Sequence, residues 1–291
     1  MKRAVCLLLA WLLILSLASC GEKEEESINL TDYKIVTSFY PVYITVMNIA
    51  AGAENVAIMN LIDEEIGCIH DYMLTGKDLK KMTGADLFIA SGMGMETFVG
   101  MSSLGIPGLE VLDCSEDIKH VIANERGKEN PHYWMNIENT IEQCEKIKRA
   151  LCLFDPSNSA IYEANAASYT ERLRALEAEV KPRIEKLKDK TIVVYHDSFD
   201  YFAEEFGLEI ITINDAEEAA KYENEISNLG YMFAQKSVAD SKEYQSFAKK
   251  TRCTTYIIDT LTCPTEGEVA EDAYINAIRR NLDMFEHMSE Q

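Results

Sequence analysis

The side chains best suited to bind a metal cation in this chain are three histidines and one aspartate. They are His70, His132, His196 and Asp259. Three imidazoles and one carboxylate suit a first-row divalent ion and are poorly suited to calcium or magnesium. A closed four-ligand tetrahedral set favours zinc, whereas manganese usually binds more oxygen atoms. A single histidine is more often structural than a ligand. The hypothesis that these residues bind one metal ion therefore depends on how all four are placed.

Their places along the chain predict that they converge. His196 and Asp259 stand at the ends of apolar runs, and His70 follows a third run by a few residues. His132 lies in an irregular turn after a proline, which favours extended backbone before it. In open α/β sheets, ligands bind at the carboxyl ends of strands. We therefore expect a metal site in a cleft between two lobes, with two ligands from each lobe.

Apolar periodicity predicts the elements that position these side chains. Short apolar runs typical of buried strands occur at 34–38, 56–62, 85–91, 191–195, 209–213 and 254–259. Segments between them, such as 42–50 and 76–82, have apolar residues every three or four positions, as helices do. This alternation predicts an α/β chain with mainly parallel sheets.

The middle of the chain predicts one long helix, 156–188. Its apolar residues recur every three or four positions, at Tyr162, Ala166, Tyr169, Leu173, Leu176, Val180, Ile184 and Leu187. Pro156 suits a first helical turn, whereas Pro182 should kink the axis. A helix of about 30 residues would be about 45 Å long. We interpret it as a rigid connection between two lobes; a long surface helix of one domain is the alternative.

The N-terminus predicts export and a lipid anchor. Lys2 and Arg3 precede an apolar run, 4–17, that is short for a membrane span and typical of a secretory signal. The next residues, Leu17-Ala18-Ser19-Cys20-Gly21, resemble the lipobox of bacterial lipoproteins, in which the cysteine is lipidated. An uncleaved signal anchor is the alternative. Lipidation of Cys20 would tether the protein to the outer face of a bacterial cell membrane without spanning it.

Together these features predict five segments. Residues 1–19 form the signal peptide, 20–31 the lipidated cysteine and an acidic tether, 32–154 the N-terminal α/β lobe, 155–190 the linking helix, and 191–291 the C-terminal α/β lobe. Removal of 1–19 changes the formal charge from −21 to −23, because two basic residues and no acidic ones are lost. Such acidity argues against nucleic acid as a partner, since phosphate binders concentrate Lys and Arg.

The cysteines do not predict a metal site. No CxxC pair occurs, so neither a zinc ribbon nor a thioredoxin-like site is supported. Cys144 and Cys152 stand eight apart in a predicted helix, about 12 Å along its axis, which is too far for a disulfide. Cys253 and Cys263 flank a predicted strand, and the sequence is compatible either with a disulfide between them or with two free thiols.

Seven motifs follow one another along the chain. They are IVTSFYP at 35–41, HDY at 70–72, KDLKKM at 77–82, ADLFI at 85–89, NPHYW at 130–134, HDSFDYF at 196–202 and DTL at 259–261. Together they resemble the solute-binding lipoproteins of ABC importers for zinc and manganese, and the resemblance covers about residues 34–288.

This resemblance implies two α/β lobes joined by a long rigid helix, with Zn²⁺, or alternatively Mn²⁺, held between them as the transported ligand. It implies delivery to an ABC permease and its ATPase subunit by a monomer that is not an enzyme. His70, His132, His196 and Asp259 carry over as the ligands. Manganese binders of this family often have glutamate in place of His196, so the histidine favours zinc.

Some features of the chain depart from the family or leave alternatives open. Only His120 lies between the first two ligand motifs, where many zinc-importing members carry a His-rich loop. Glu266 is an alternative to Asp259 as the acidic ligand. Asp71 and Asp197, which follow two of the histidines, are interpreted as solvated turn acids rather than as acceptors for ring N–H groups.

Two other functions remain open from the residues. Three histidines can hold a catalytic zinc with water in the fourth position, as in a zinc hydrolase, but no HExxH motif occurs. A lipoprotein used for surface adhesion would not depend on the histidines at all.

Overall fold

The computed structural model describes residues 32–63, 69, 72–97, 106–123 and 127–290. The predicted signal peptide, Cys20 and the candidate ligand His70 lie outside these residues. Among the helices of the described ranges, none combines the length and the apolar character needed to cross a bilayer.

The first half of the chain forms a parallel sheet of four strands in the order β2-β1-β3-β4. The strands are β1 Tyr33–Thr37, β2 Val56–Asn60, β3 Leu87–Ala90 and β4 Glu110–Asp113. Helix α1, Tyr40–Ala50, leads from β1 to β2, and helix α2, Gly76–Met82, precedes β3. All four residues of β3 are buried, as expected for a strand covered on both faces.

The second half repeats this arrangement in a sheet of order β6-β5-β7-β8, again with all strands parallel. Its strands are β5 Thr191–Tyr195, β6 Glu209–Ile213, β7 Tyr231–Gln235 and β8 Thr254–Ile258. Its helices are α5 Asp200–Phe206, α6 Ala216–Leu229, α7 Lys236–Ala239 and α8 Lys242–Thr251.

Three longer helices lie between or beside the sheets. They are α3 Ile137–Phe154, α4 Ser159–Glu185 and α9 Ala270–Ser289. The predicted long helix is α4, with 27 residues and Pro182 inside it. A separate 3₁₀ turn, Pro156–Asn158, precedes it. The predicted apolar residues on α4 are buried, and so is Leu187, two positions beyond its end. Helix α4 packs against α1, α3 and α9.

The predicted fold class, two α/β lobes with parallel sheets and one long helix, is confirmed. Two strands were not predicted from the sequence. In β4, the run Glu-Val-Leu-Asp has charged ends and only four residues. In β7, the five residues lie between Gly230 and Lys236 with no alternation to mark them. Both strands depend on neighbours distant in sequence, β3 and β5, for their pairing.

The cysteines in the described part of the chain form no disulfide. Cys144 and Cys152 share helix α3, as predicted. Cys253 accepts a hydrogen bond from Oγ1 of Thr251 at 3.2 Å. The disulfide between Cys253 and Cys263 that the sequence left open is therefore not formed.

Candidate metal centre

His132 and His196 come together from different halves of the chain. Their ring centroids lie 5.2 Å apart, and the ring planes are nearly perpendicular, at 85°. His132 is almost fully buried, and the side chain of His196 is 23% exposed. Two imidazoles this close can both contribute a nitrogen to one cation, because zinc binds imidazole nitrogen at about 2.0–2.1 Å.

The turn that carries His132 is held by the side chain of Asn130. Oδ1 of Asn130 accepts hydrogen bonds from the backbone N–H of His132, at 3.0 Å, and lies 2.8 Å from its Nδ1. A short 3₁₀ helix, Tyr133–Met135, follows His132. The ring of Trp134 also packs against the His132 ring, with centroids 5.2 Å apart. His132 is thus held from both sides.

His196 directly follows β5, as the sequence predicted. Its backbone has φ of +97°, a conformation that costs a non-glycine residue free energy and that often occurs at functional sites. A hydrogen bond from its N–H to the carbonyl of Ile213, at 2.8 Å, continues the pairing of β5 with β6. Burial lowers the pKa of His196, against the opposing effect of the Asp197 carboxylate. The ring is therefore biased toward the neutral form that can bind a metal.

Nδ1 of His196 is buried without a hydrogen-bond partner within the described part of the chain. Buried polar atoms of this kind are uncommon and call for an explanation. Oδ1 of Asp197 lies 3.4 Å from this nitrogen. A ring nitrogen left in this state is compatible with a bound cation, so the donor set fits a transition metal.

Asp197 lies between the two imidazoles rather than in solvent alone. Its Oδ1 is 3.6 Å from Nδ1 of His132 and 3.4 Å from Nδ1 of His196. Within the described ranges, His132, His196 and Asp197 are the group whose ligand atoms all lie within 4.8 Å of one another. The interpretation of Asp197 as a turn acid therefore omitted its proximity to both rings.

The structure places Asp259 directly after β8, outside that group of three. Nη2 of Arg280 donates to its Oδ2 at 2.6 Å, and the N–H of Leu261 donates to its Oδ1 at 2.9 Å. Asn281 binds both its backbone N–H and its carbonyl oxygen. These contacts fix the orientation of the Asp259 carboxylate, which is paired with the guanidinium of Arg280 in this structure.

A cleft of about 540 Å³ adjoins Asp259. Its lining includes Lys236, Cys263, Arg280 and Glu266, the alternative acidic ligand. Glu266 is exposed, and neither His132 nor His196 lines this cleft. The described ligand candidates therefore form a histidine pair at one place, and Asp259 stands apart at the end of β8, with β7 between it and β5.

Trp134 shows that the carboxyl ends of the two sheets face the same region. Its ring contacts that of Phe39, which follows β1, with centroids 5.0 Å apart and planes at 75°. Its Nε1 donates to the carbonyl of Thr260, which follows β8, at 3.0 Å. His132 thus stands where the strand ends of both lobes meet, as predicted for ligands of α/β sheets.

Sequence reasoning missed Asn130 as part of the centre. Beyond His132, its Nδ2 donates to the carbonyl oxygen of Asp197 at 2.8 Å and to Oδ2 of Asp200 at 3.3 Å. Burial raises the pKa of Asp200 to about 6. The signal was an amide side chain two positions before a candidate ligand, a spacing at which side chains commonly bind the nearby backbone.

Comparison with known proteins gives this centre a context. The sequence model of the family described as "ZnuA: Zinc-uptake complex component A periplasmic" matches residues 35–288. The zinc-binding lipoprotein AdcA of Streptococcus pneumoniae is 26% identical over 99% of this chain and 62% of AdcA. The manganese ABC transporter substrate-binding lipoprotein PsaA of Streptococcus anginosus is 26% identical over 97% of each chain. The chain therefore spans less than two thirds of AdcA and nearly all of PsaA.

Solved structures share the fold. Zn(II)-bound AdcA from Streptococcus pneumoniae superimposes with a TM-score of 0.74 and 24% identity, over 89% of this chain and 58% of that one. FpvC from Pseudomonas aeruginosa with Mn²⁺ gives 0.74 and 24% identity, over 89% and 98%. A ZnuA crystal structure gives 0.75 and 19% identity, over 89% and 99%. AdcA and PsaA are named as binding lipoproteins, in agreement with the prediction that the chain is not an enzyme.

Proposed function

This chain belongs to the zinc-uptake complex component A family, and on that premise we propose that it captures a divalent transition metal outside the cell membrane for an ABC importer. Zinc is the favoured metal over manganese. The protein would bind as a monomer and deliver the ion to the permease, which works with its ATPase subunit. Cys20 would carry the lipid that anchors it to a bacterial membrane.

The approach of His132 to His196 carries this proposal. Two imidazoles from distant parts of the chain lie 5.2 Å apart at the meeting point of two sheets. Packing alone does not explain why a buried Nδ1 of His196 has no hydrogen bond to the described residues, since such an atom lowers stability. A cation bound by the imidazole pair would compensate for that cost.

The preference for zinc rests on the chemistry of the donors. His70, His132, His196 and Asp259 form the proposed ligand set, of three nitrogens and one carboxylate. Such a set favours zinc over the oxygen-rich coordination that manganese usually takes. The relatives include a zinc-binding and a manganese-binding lipoprotein, so similarity alone does not choose between the metals.

Competitive metal titration tests this function. The mature chain, residues 21–291, would be prepared metal-free and titrated with Zn²⁺ and Mn²⁺ against a chromophoric chelator. We expect one zinc per chain, bound more tightly than manganese. His196→Ala should weaken zinc binding strongly. His287→Ala is the matched control, because His287 is an exposed residue of α9, and this variant should bind like the wild type.

The possible results separate three conclusions. Tighter binding of manganese would retain the importer function and overturn the choice of metal. Zinc binding that is indifferent to His196 would place the site elsewhere. Absence of stoichiometric binding of either metal would contradict the proposed function.

A further inference from the structure

We infer that Asn130 is a positioning residue for metal capture, one that fixes the tautomer of His132 and ties that ring to the turn carrying His196. The inference rests on the proposed function and assigns a role to a residue outside the proposed ligand set. Asn130 is only 5% exposed, and it lies two residues before His132. Its contacts reach both His132 and the residues that follow His196.

The orientation of the Asn130 amide follows from its neighbours. Nδ2 lies 2.8 Å from the carbonyl oxygen of Asp197 and 3.3 Å from Oδ2 of Asp200. The carbonyl can only accept, as can the ionised carboxylate, so the NH₂ end of the amide must point at them. On the other side, the backbone N–H of His132 can only donate, and it points at Oδ1. Both ends of the amide are thus assigned by independent partners.

This orientation determines which nitrogen of His132 carries the proton. Nδ1 lies 2.8 Å from Oδ1 of Asn130, and an amide oxygen can only accept. Nδ1 must therefore be the protonated nitrogen of the neutral ring, and Nε2 keeps its lone pair. In metal sites the ring N–H that does not face the ion is commonly held by such an acceptor, which orients the ring and fixes its tautomer.

Asn130 also joins the two halves of the centre. The carbonyl of Asp197 belongs to the residue directly after His196, and Asp200 begins α5. Tyr201, also on α5, donates from its hydroxyl to the carbonyl of Asn130 at 2.8 Å. The turn of His132 is thereby attached to the segment that follows β5. The spacing of the two imidazoles then depends on one side chain whose hydrogen-bonding groups are all used.

Substitutions at Asn130 separate these contributions. Asn130→Ala removes the acceptor and both donors, and we expect zinc affinity to fall by about 10–100-fold, the usual effect of losing a partner that orients a ligand. Asn130→Asp keeps the acceptor for His132 but turns a carboxylate toward Asp200 and the carbonyl of Asp197. It should also weaken zinc binding, while retaining the Nδ1–H tautomer.

A double substitution provides the rescue. In Asn130→Asp with Asp200→Asn, the amide at 200 can donate to the carboxylate at 130, which restores that hydrogen bond in the reverse direction. An amide at 200 still accepts from Oγ1 of Thr212, which is 2.7 Å from Oδ1 of Asp200. We expect the double variant to bind zinc several-fold more tightly than Asn130→Asp alone. Asn158→Ala is the matched control, because Asn158 is buried at 6% exposure and bonds Glu54 and Asp155 instead.

Nitrogen-15 NMR of the metal-free imidazoles gives a readout that a purely structural role would not move. At about pH 8 the imidazoles are neutral, and wild-type His132 should show the Nδ1–H tautomer, which Asn130→Ala should lose. An Nε2–H tautomer in the wild type would overturn the inference. So would unchanged zinc affinity in Asn130→Ala, or an equal loss in Asn158→Ala. If the wild type itself binds no zinc, the proposed function fails first, and this inference fails with it.

Discussion

Trp134 donates a hydrogen bond from Nε1 to the backbone carbonyl of Thr260, at 3.0 Å. This contact joins the turn of His132 to the end of β8, where Asp259 stands. His132 stands two residues before the donor of this hydrogen bond, and Asp259 stands one residue before its acceptor. Two proposed ligands from opposite halves of the chain are therefore close in sequence to the same contact. The contact brings the residue after Asp259 against Trp134, while the Asp259 carboxylate is bound by Arg280.

The role of the Asp259 carboxylate is open to a direct test. Asp259→Asn removes its charge but keeps an oxygen that can accept from the N–H of Leu261. If Asp259 is a ligand, zinc affinity should fall by more than the roughly 100-fold that marks the upper range for orienting partners. The measurement is competitive zinc titration of the mature chain.

Asp272→Asn is the control for that experiment. Asp272 also accepts from an arginine, with Nη2 of Arg172 at 2.6 Å, but it is an exposed residue in the first turn of α9. This variant should retain wild-type affinity. If zinc affinity falls by less than about 10-fold in Asp259→Asn, the carboxylate serves only in the ion pair with Arg280. Asp197 would then become the candidate for the acidic ligand.

Glu205 predicts a dependence of stability on pH. Burial raises its pKa to about 8 from 4.5, although its Oε2 accepts from the N–H of Ile137 at 2.9 Å. The folded state binds a proton on Glu205 more tightly than the unfolded state does. The contribution of this protonated carboxyl to the free energy of unfolding is therefore complete below about pH 4.5 and is lost as the pH rises through about 8. Glu205→Gln should therefore reduce the slope of the free energy of unfolding against pH in that window, by up to about 1.4 kcal/mol per pH unit.

Urea unfolding at intervals between pH 5 and 8 measures this slope. The glutamine oxygen can still accept from Ile137, so the variant keeps the start of α3. Glu209→Gln is the comparison, since Glu209 is an exposed acid four positions later, and its slope should match the wild type. Equal slopes for Glu205→Gln and the wild type would show that Glu205 is ionised normally in the folded protein.

The buried stripe of α4 predicts a large effect on stability from one truncation. Leu173 is fully buried in the helix that packs against α1, α3 and α9. Leu173→Ala should lower the free energy of unfolding by about 2–5 kcal/mol. Arg174→Ala, at the next and exposed position, should change it by no more than about 0.5 kcal/mol. Similar values for the two variants in urea denaturation would contradict the core role of the stripe.

The predicted lipid anchor depends on one cysteine. Full-length protein expressed in a bacterium should incorporate labelled palmitate and enter the detergent phase on Triton X-114 partition. Cys20→Ala should abolish both, because no thiol would remain at the lipobox. Cys152→Ala, in α3, should behave like the wild type. Lipid labelling that persists in Cys20→Ala would show that another residue is modified.

The elements predicted best from the sequence were those whose signal is local. The period of three and four residues over 156–188 is produced by one face of one helix, and that face is buried. His196 was placed correctly because the apolar run of β5 ends just before it. In contrast, β4 and β7 were missed because short strands depend on pairing with partners distant in sequence.

The contacts within the centre could not be predicted for the same physical reason. The orientation of the Asn130 amide depends on Asp197 and Asp200, which become its neighbours only after the lobes assemble. Likewise, the ion pair of Asp259 depends on Arg280 of α9. Sequence spacing identifies residue types near strand ends, but side-chain partners across the two lobes require the tertiary fold.

The packing of α9 has a consequence for the order in which the chain can fold. This last helix lies against α1, near the first strand, and against α4, where Arg183 pairs with Asp283 and Glu286. Contacts between such distant segments close the longest loops in the chain, and they form late because of their entropic cost. In a nascent polypeptide, the face of α1 that packs against α9 therefore stays uncovered until α9 has been synthesised.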